Sequence, residues 1–300
     1  MSNFLDSMEV DMEMVARVEA CLEEAIEHAT APSCPPKLAK AVQYAVFPGG
    51  ARVRPQLCVS IAAACGSKEE RIADGAAAAI ELLHCASLVH DDLPCFDDAD
   101  TRRGKASVHK LYGEPIAVLA GDALIVEAFN TICRTSASRP ETMAQLIRCT
   151  ASAVGMPSGI VAGQAWESEQ HIDIKEYHRA KTGSLFVCAV SAGAIAAGQD
   201  PKAWCPLGDL IGSAYQIADD LMDAVGLAEE CDKPVSQDLT LSRPNAVAKY
   251  GVDGAMSRLR KTIQDAVDSI PDCKGASELR GLIMAQATRL VPAKLAKSAA

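Results

Sequence analysis

The chain has 300 residues, 49% of them apolar, which is ample for a core and excludes a disordered or fibrous protein. Its net charge of -10 excludes general nucleic-acid binding, which needs a basic face to displace phosphate counterions. Acidity does not exclude an anionic substrate, because a bound metal ion can reverse the local sign.

The N-terminal run MSNFLDSMEVDMEMV is acidic and lacks a basic stretch followed by an apolar one, so no secretory signal is expected there. Gly/Pro punctuation then falls at 32–36, 48–50, 66, 113–115, 140, 155–159, 198–201 and 226–234. Between these breaks lie Ala-, Leu- and Ile-rich segments with no period-2 alternation, which predicts roughly ten helices and an all-α fold. No linker or composition shift divides the chain, so residues 1–300 are expected to form a single helical domain. The most apolar stretch, Leu185 to Gly198, is about 14 residues long, too short to span a bilayer, and no stable membrane insertion is expected. Twelve cysteines run from Cys21 to Cys273 without a C-x-x-C pair, which excludes zinc spacing and suits a reduced, cytoplasmic setting.

Ile72 to Asp92 predicts a helix of five to six turns, with Ala76 to Ala79 permitting close packing. Pro94 disfavours helical geometry at Leu93, so the helix should end near Asp92, and a loop through Pro94 can turn Asp97 back toward Asp91. A second carboxylate cluster, Asp219, Asp220 and Asp223, lies about 130 residues further on, spaced to share one helical face. Crowded carboxylates on apolar helices need a cation. Oxygen donors with room left for phosphates suit Mg²⁺, so two such clusters facing each other would hold a diphosphate between metal ions. An acidic helix end in plain solvent is favourable only at an N-terminus, whereas Asp91 and Asp92 close a helix. His84 lies seven residues before Asp91, on the same face; read alone it is a core histidine, but beside the metal motif it reads as a site residue. His90-Asp91 also suggests a metal phosphohydrolase, but His28, His109, His171 and His178 supply no further ligands in suitable places.

These motifs, together with Gly49-Gly50, Arg102-Arg103-Gly104, Gly163-Gln164, Lys181-Thr182-Gly183, Gln216 and Lys233, occur in the order that marks one family. Across about two thirds of its length, from Gly49 to Arg243, the chain resembles the trans-isoprenyl diphosphate synthases, or polyprenyl synthetases. It is most like the geranylgeranyl diphosphate synthases of bacterial carotenoid pathways. The resemblance implies a helical bundle with a central active-site cavity and a homodimer. It also implies condensation of isopentenyl diphosphate with an allylic diphosphate, farnesyl or shorter. Three Mg²⁺ would neutralise the leaving diphosphate, two on Asp91 and Asp97 and a third led by Asp219, with Asp92, Asp220 and Asp223 in support. Arg102, Lys181 and Lys233 would donate to the same diphosphate, and Gln164 would contact substrate. The carbonyl of Lys181, the hydroxyl of Thr182 and the amide of Gln216 would stabilise the allylic cation. The departing pyrophosphate would remove the final proton.

The second diphosphate would bind at Arg54, His84 and Arg103, near a glycine pair that precedes a helix start. Here the chain departs from the family pattern: Ala51 stands where a lysine is usual, and Arg52 is expected to offset the loss. Glu167 replaces an aspartate, Asp232 a glycine, and Arg243 a lysine. Product length is expected to be set at Ala86 and Ser87. In the family an aromatic at the position of Ala86 stops growth at C15. Ala86 lies about 7 Å below Asp91 along the helix at ~1.5 Å per residue, roughly one isoprene unit. C20 is therefore expected, with C15 or C25 as alternatives and Leu83, Ile80 and Phe129 deeper toward the floor. From other classes, a non-catalytic partner subunit is the alternative that Ala51 favours. A terpene cyclase is a second alternative, though it would not need the pocket at Arg54, His84 and Arg103.

Overall fold

The computed structural model describes residues 2–47, 50–225 and 246–289. Thirteen α-helices carry nearly all of the described backbone. The first seven are α1 (Ser2–Ala29), α2 (Pro36–Val46), α3 (Val53–Ala64), α4 (Glu70–Asp91), α5 (Val108–Tyr112), α6 (Glu114–Thr135) and α7 (Pro140–Val154). Then come α8 (Ile160–Ala165), α9 (Ile174–His178), α10 (Ser184–Ala196), α11 (Cys205–Val225), α12 (Ala246–Asp268) and α13 (Ala276–Arg289). Pro36, Pro115 and Pro140 fall in the first turn of α2, α6 and α7. They open helices rather than end them, because a first-turn residue has no N–H partner to lose.

The chain forms two compact units, one from Met1–Ala151 with Cys188–Pro201 and one from Ser152–Val187 with Lys202–Ala300. In the first, α4 is apolar nearly all round and buried from Ile72 through Leu83 on most faces. It packs on α3 and α6, and Gly75 is what lets α6 close in: a Cβ there would sit 2.0 Å from Thr135 Oγ1. Both α4 and α6 are long and apolar enough to cross a membrane, and 78% of the most apolar α4 window is buried within the protein. In the second unit α11 lays Ala214, Ile217, Ala218 and Leu221 against Ala255, Leu259 and Ile263 of α12, with Ala287 of α13 joining the cluster.

One close approach is unforgiving. A Cβ on Gly193 would fall 2.4 Å from the backbone carbonyl oxygen of Cys58 on α3, an atom that cannot swing aside. Gly193→Ala is therefore expected to lose about 1–3 kcal/mol of stability through overpacking. Thermal unfolding checks this; an unchanged melting temperature would show that α3 and α10 can separate at no cost.

Candidate active site

In the first unit, α4 ends at Asp91, one residue short of the expected boundary, and Asp92 caps it. The loop beyond Pro94 folds back: the Asp97 N–H donates to the Asp91 carbonyl at 2.9 Å and the Ala99 N–H to that of Asp92 at 3.1 Å. This is the return that the proline predicts. Asp91 and Asp92 are 7% and 2% exposed, while Asp97 is half-buried. Arg102 meets them: its Nε donates to Asp92 Oδ1 at 2.9 Å, its Nη2 makes a second bond to that oxygen, and Nη2 lies 4.0 Å from Asp91 Oδ2. Burial alone would lower the guanidinium pKa, but the bond to Asp92 and the charges of Asp92, Asp91 and Asp97 raise it.

Arg102 and Arg103 sit on a feature absent from the sequence reading. Thr101–Arg102 (β1) and Lys105–Ala106 (β2) pair antiparallel, and the connecting Arg103 and Gly104 have φ of 52° and 71°. Two successive positive φ values make the tight turn that matches strand twist, and Gly104 was the signal for it. Arg102 is thereby aimed at the carboxylates. Arg103 crosses to Gly50, where a Cβ would fall 2.5 Å from its Cζ. The contact is with the end of a flexible side chain, so it marks where Arg103 lies and does not by itself require glycine.

His84, Arg54 and Arg103 are brought together. Burial first, then Arg54, Arg103, Arg102 and Arg52 in turn, push the His84 imidazole well below its ordinary pKa. It is therefore neutral at pH 7, able to donate one hydrogen bond and accept another. Arg52 departs from expectation. It is 3% exposed, with Nε 2.7 Å from Glu19 Oε1, Nη1 2.6 Å from Glu81 Oε1 and Nη2 2.9 Å from the Val46 carbonyl oxygen. Its guanidinium is enclosed within the unit, which removes it as a substitute for the missing lysine. Glu81, a carboxylate inside an alanine- and leucine-rich run, was the sequence signal for such a buried partner. Ala51 is exposed, and its carbonyl accepts from the Gln56 side chain. Ala86 is 1% exposed, and Ser87 returns its hydroxyl to the His84 carbonyl at 2.8 Å.

In the second unit the expected residues cluster around a π-helical turn, Arg179–Gly183. Gly163 lets α8 approach it: a Cβ there would lie 2.4 Å from the Lys181 nitrogen. Lys181 Nζ donates to Glu167 Oε1 at 2.6 Å, and Tyr177 and Gln164 bond the same carboxylate. The Thr182 hydroxyl reaches Gln216 Oε1 at 3.3 Å, while Gln216 Nε2 donates to Asp220 Oδ1 at 3.0 Å. That second bond fixes the amide with its oxygen toward Thr182. Asp220 is buried and also accepts from the Ala246 N–H; Asp219 is exposed and Asp223 half-buried on the same helix. Gln216 and Asp220 line a cavity of about 780 Å³ with Gly212, His178, Arg179 and Lys249. Gly49, Asp232, Lys233 and Arg243 lie outside the described residues.

A family model described as polyprenyl synthetase matches residues 35–279. A geranylgeranyl diphosphate synthase of Cereibacter sphaeroides is 51% identical over 93% of this chain and 97% of its own. That of Rhodobacter capsulatus is 48% identical over the same shares. Among solved structures, a geranyltransferase from Helicobacter pylori complexed with magnesium and isoprenyl diphosphate superposes with a TM-score of 0.81. It is 26% identical, with 94% of this chain and 98% of that one covered.

The lowered pKa of His84 has a measurable sign. Below the ordinary histidine pKa of about 6.5 the unfolded chain takes up a proton that the folded chain refuses, so this contribution to stability is complete above that pH and lost as pH falls. His84→Gln should therefore lose less melting temperature than the parent between about pH 7 and 5. Parallel acid limbs in thermal melts would show that His84 titrates normally.

Proposed function

Because the chain belongs to the polyprenyl synthetase family, we propose that it condenses isopentenyl diphosphate with farnesyl diphosphate, or a shorter allylic diphosphate, to give geranylgeranyl diphosphate. The family acts on isoprenyl diphosphates and uses Mg²⁺. The observation that carries the reading is the basic cluster of Arg54, His84 and Arg103 in the same unit as the Asp91–Asp92 carboxylates. Adjacent residues, Arg102 and Arg103, serve one each. A diphosphate bound through metal and a second bound through side chains alone is what a condensation needs, and a cyclase has no use for the second. The 51% identity to a named geranylgeranyl diphosphate synthase supports the product. The family match runs through both units, which supports treating residues 1–300 as one catalytic domain.

The donor set suits Mg²⁺: every candidate ligand is a carboxylate oxygen, two of them buried at a helix C-terminus where negative charge is unfavourable without a cation. In this reading Asp91 and Asp97 would hold two ions and Asp219 would lead on a third, with Asp92, Asp220 and Asp223 in support. Bound there, Mg²⁺ would supply electrostatic stabilisation of the diphosphate leaving group. Arg102, Lys181 and Lys233 add donors to that diphosphate, and Gln164 orients Glu167 beside Lys181. The Thr182 hydroxyl oxygen, the Gln216 amide oxygen and the Lys181 carbonyl stabilise the allylic cation. Arg54, His84 and Arg103 orient the isopentenyl diphosphate whose double bond attacks, and the released pyrophosphate accepts its proton. Buried, small Ala86 leaves room for one more isoprene unit than an aromatic would. A cytoplasmic homodimer completes the reading; the exposed Val118, Leu119 and Val126 along α6 offer an apolar face for a second copy.

Incubation of the purified protein with Mg²⁺, farnesyl diphosphate and labelled isopentenyl diphosphate should yield a C20 alcohol after dephosphorylation. No product with any allylic primer would instead favour a partner subunit, the reading to which the exposed Ala51 points. Ala86→Phe should shorten the product to C15, and an unchanged product would place the length determinant elsewhere. Asp91→Ala and Asp219→Ala should each lower turnover by about a hundredfold or more, and near-normal rates would overturn the metal assignment.

A further inference from the structure

Arg52 has a left-handed backbone, φ 50° and ψ 34°, at the residue that caps α3. A branched or long side chain adopts that conformation at a cost, and it persists only where surroundings enforce it. Three helices do so here. Glu19 comes from α1, Glu81 from α4, and the Val46 carbonyl from the last residue of α2; together they engage all three guanidinium nitrogens. The turn is also fixed on its far side, since the Gln56 N–H donates to the Arg52 carbonyl at 3.0 Å and the Gln56 side chain to that of Ala51 at 2.9 Å.

What this turn carries is the basic cluster. Arg54 follows two residues later in the first turn of α3, and Gly50, two residues earlier, is the surface on which the Arg103 guanidinium lies. Glu81 and His84 are three apart on α4, so one helix both grips the turn and contributes to the cluster. Resting on the function proposed above, we propose that Arg52 is a positioning residue for the second diphosphate. Locked by Glu19, Glu81 and the Val46 carbonyl, it sets Arg54 and, through Gly50, Arg103 around that diphosphate without touching it.

Glu81→Gln separates this from direct binding, because only positioning predicts a raised Michaelis constant. The full-length protein is assayed with Mg²⁺ and saturating farnesyl diphosphate while isopentenyl diphosphate is varied. Positioning predicts a KM for isopentenyl diphosphate raised about tenfold or more. The kcat and the KM for farnesyl diphosphate should stay within about twofold, the split that marks loss of one substrate's binding. Arg52→Lys, which keeps the charge but not the fork, should follow the same pattern. If Arg52 were a ligand held in check by Glu81, Glu81→Gln would free it and the KM would hold or fall, which overturns the proposal. A fall in kcat alone would overturn it too. Should Glu81→Gln fail to fold, Glu19→Gln, at the more exposed partner, carries the same test. Calorimetric titration of isopentenyl diphosphate into parent and variant reads the same effect without turnover. An inactive parent that still binds it more tightly than the variant would sink the catalytic reading and keep this one.

Discussion

Everything around the first carboxylate pair follows from one electrostatic constraint: two aspartates are buried at the C-terminal end of a long apolar helix. There the helix dipole presents its negative end, the carboxylates repel one another, and water is scarce. A positive charge must be brought to them. The hairpin after the Pro94 loop does this in the protein itself, delivering Arg102 to Asp92 while the loop returns Asp97 to the helix end.

The same helix organises the opposite chemistry two turns earlier. Glu81 neutralises Arg52, His84 stays uncharged among arginines, and Asp91 closes the helix. Over ten residues, about 15 Å of helix axis, the helix passes from a gripped cation to a neutral imidazole to buried carboxylates. The spacing between the basic cluster and the carboxylates is built into the length of α4.

In the second unit the polar groups are ordered by a chain of hydrogen bonds rather than by burial of charge. The Ala246 N–H fixes Asp220, Asp220 fixes the Gln216 amide, and the amide oxygen is left toward the Thr182 hydroxyl. Glu167 performs the same service for Lys181, shared with Tyr177 and Gln164. Oxygen dipoles held this firmly are already oriented and need not reorganise to meet a positive charge.

The end of α4, the return of Asp97 and the shared face of Asp219 and Asp223 were legible in the sequence because each is local. Proline geometry and helical periodicity act over a few residues and need no partner. The gathering of His84 with Arg54 was legible only through family resemblance. The Arg102–Arg103 hairpin escaped notice, since two-residue strands leave no alternation to read. Arg52 looked like a diphosphate ligand in a row of arginines, and only packing showed it turned inward to Glu19 and Glu81. The roles of Gly163 and Gly193 belong to tertiary structure in the same sense, for each is defined by a backbone atom distant in sequence. Sequence alone determined the helices, their ends and the chemical types available, because those depend on neighbours along the chain. Which arginine meets the Asp91–Asp92 carboxylates and which is locked between helices was decided by the tertiary structure, because a charge takes its place from the counter-charge it meets.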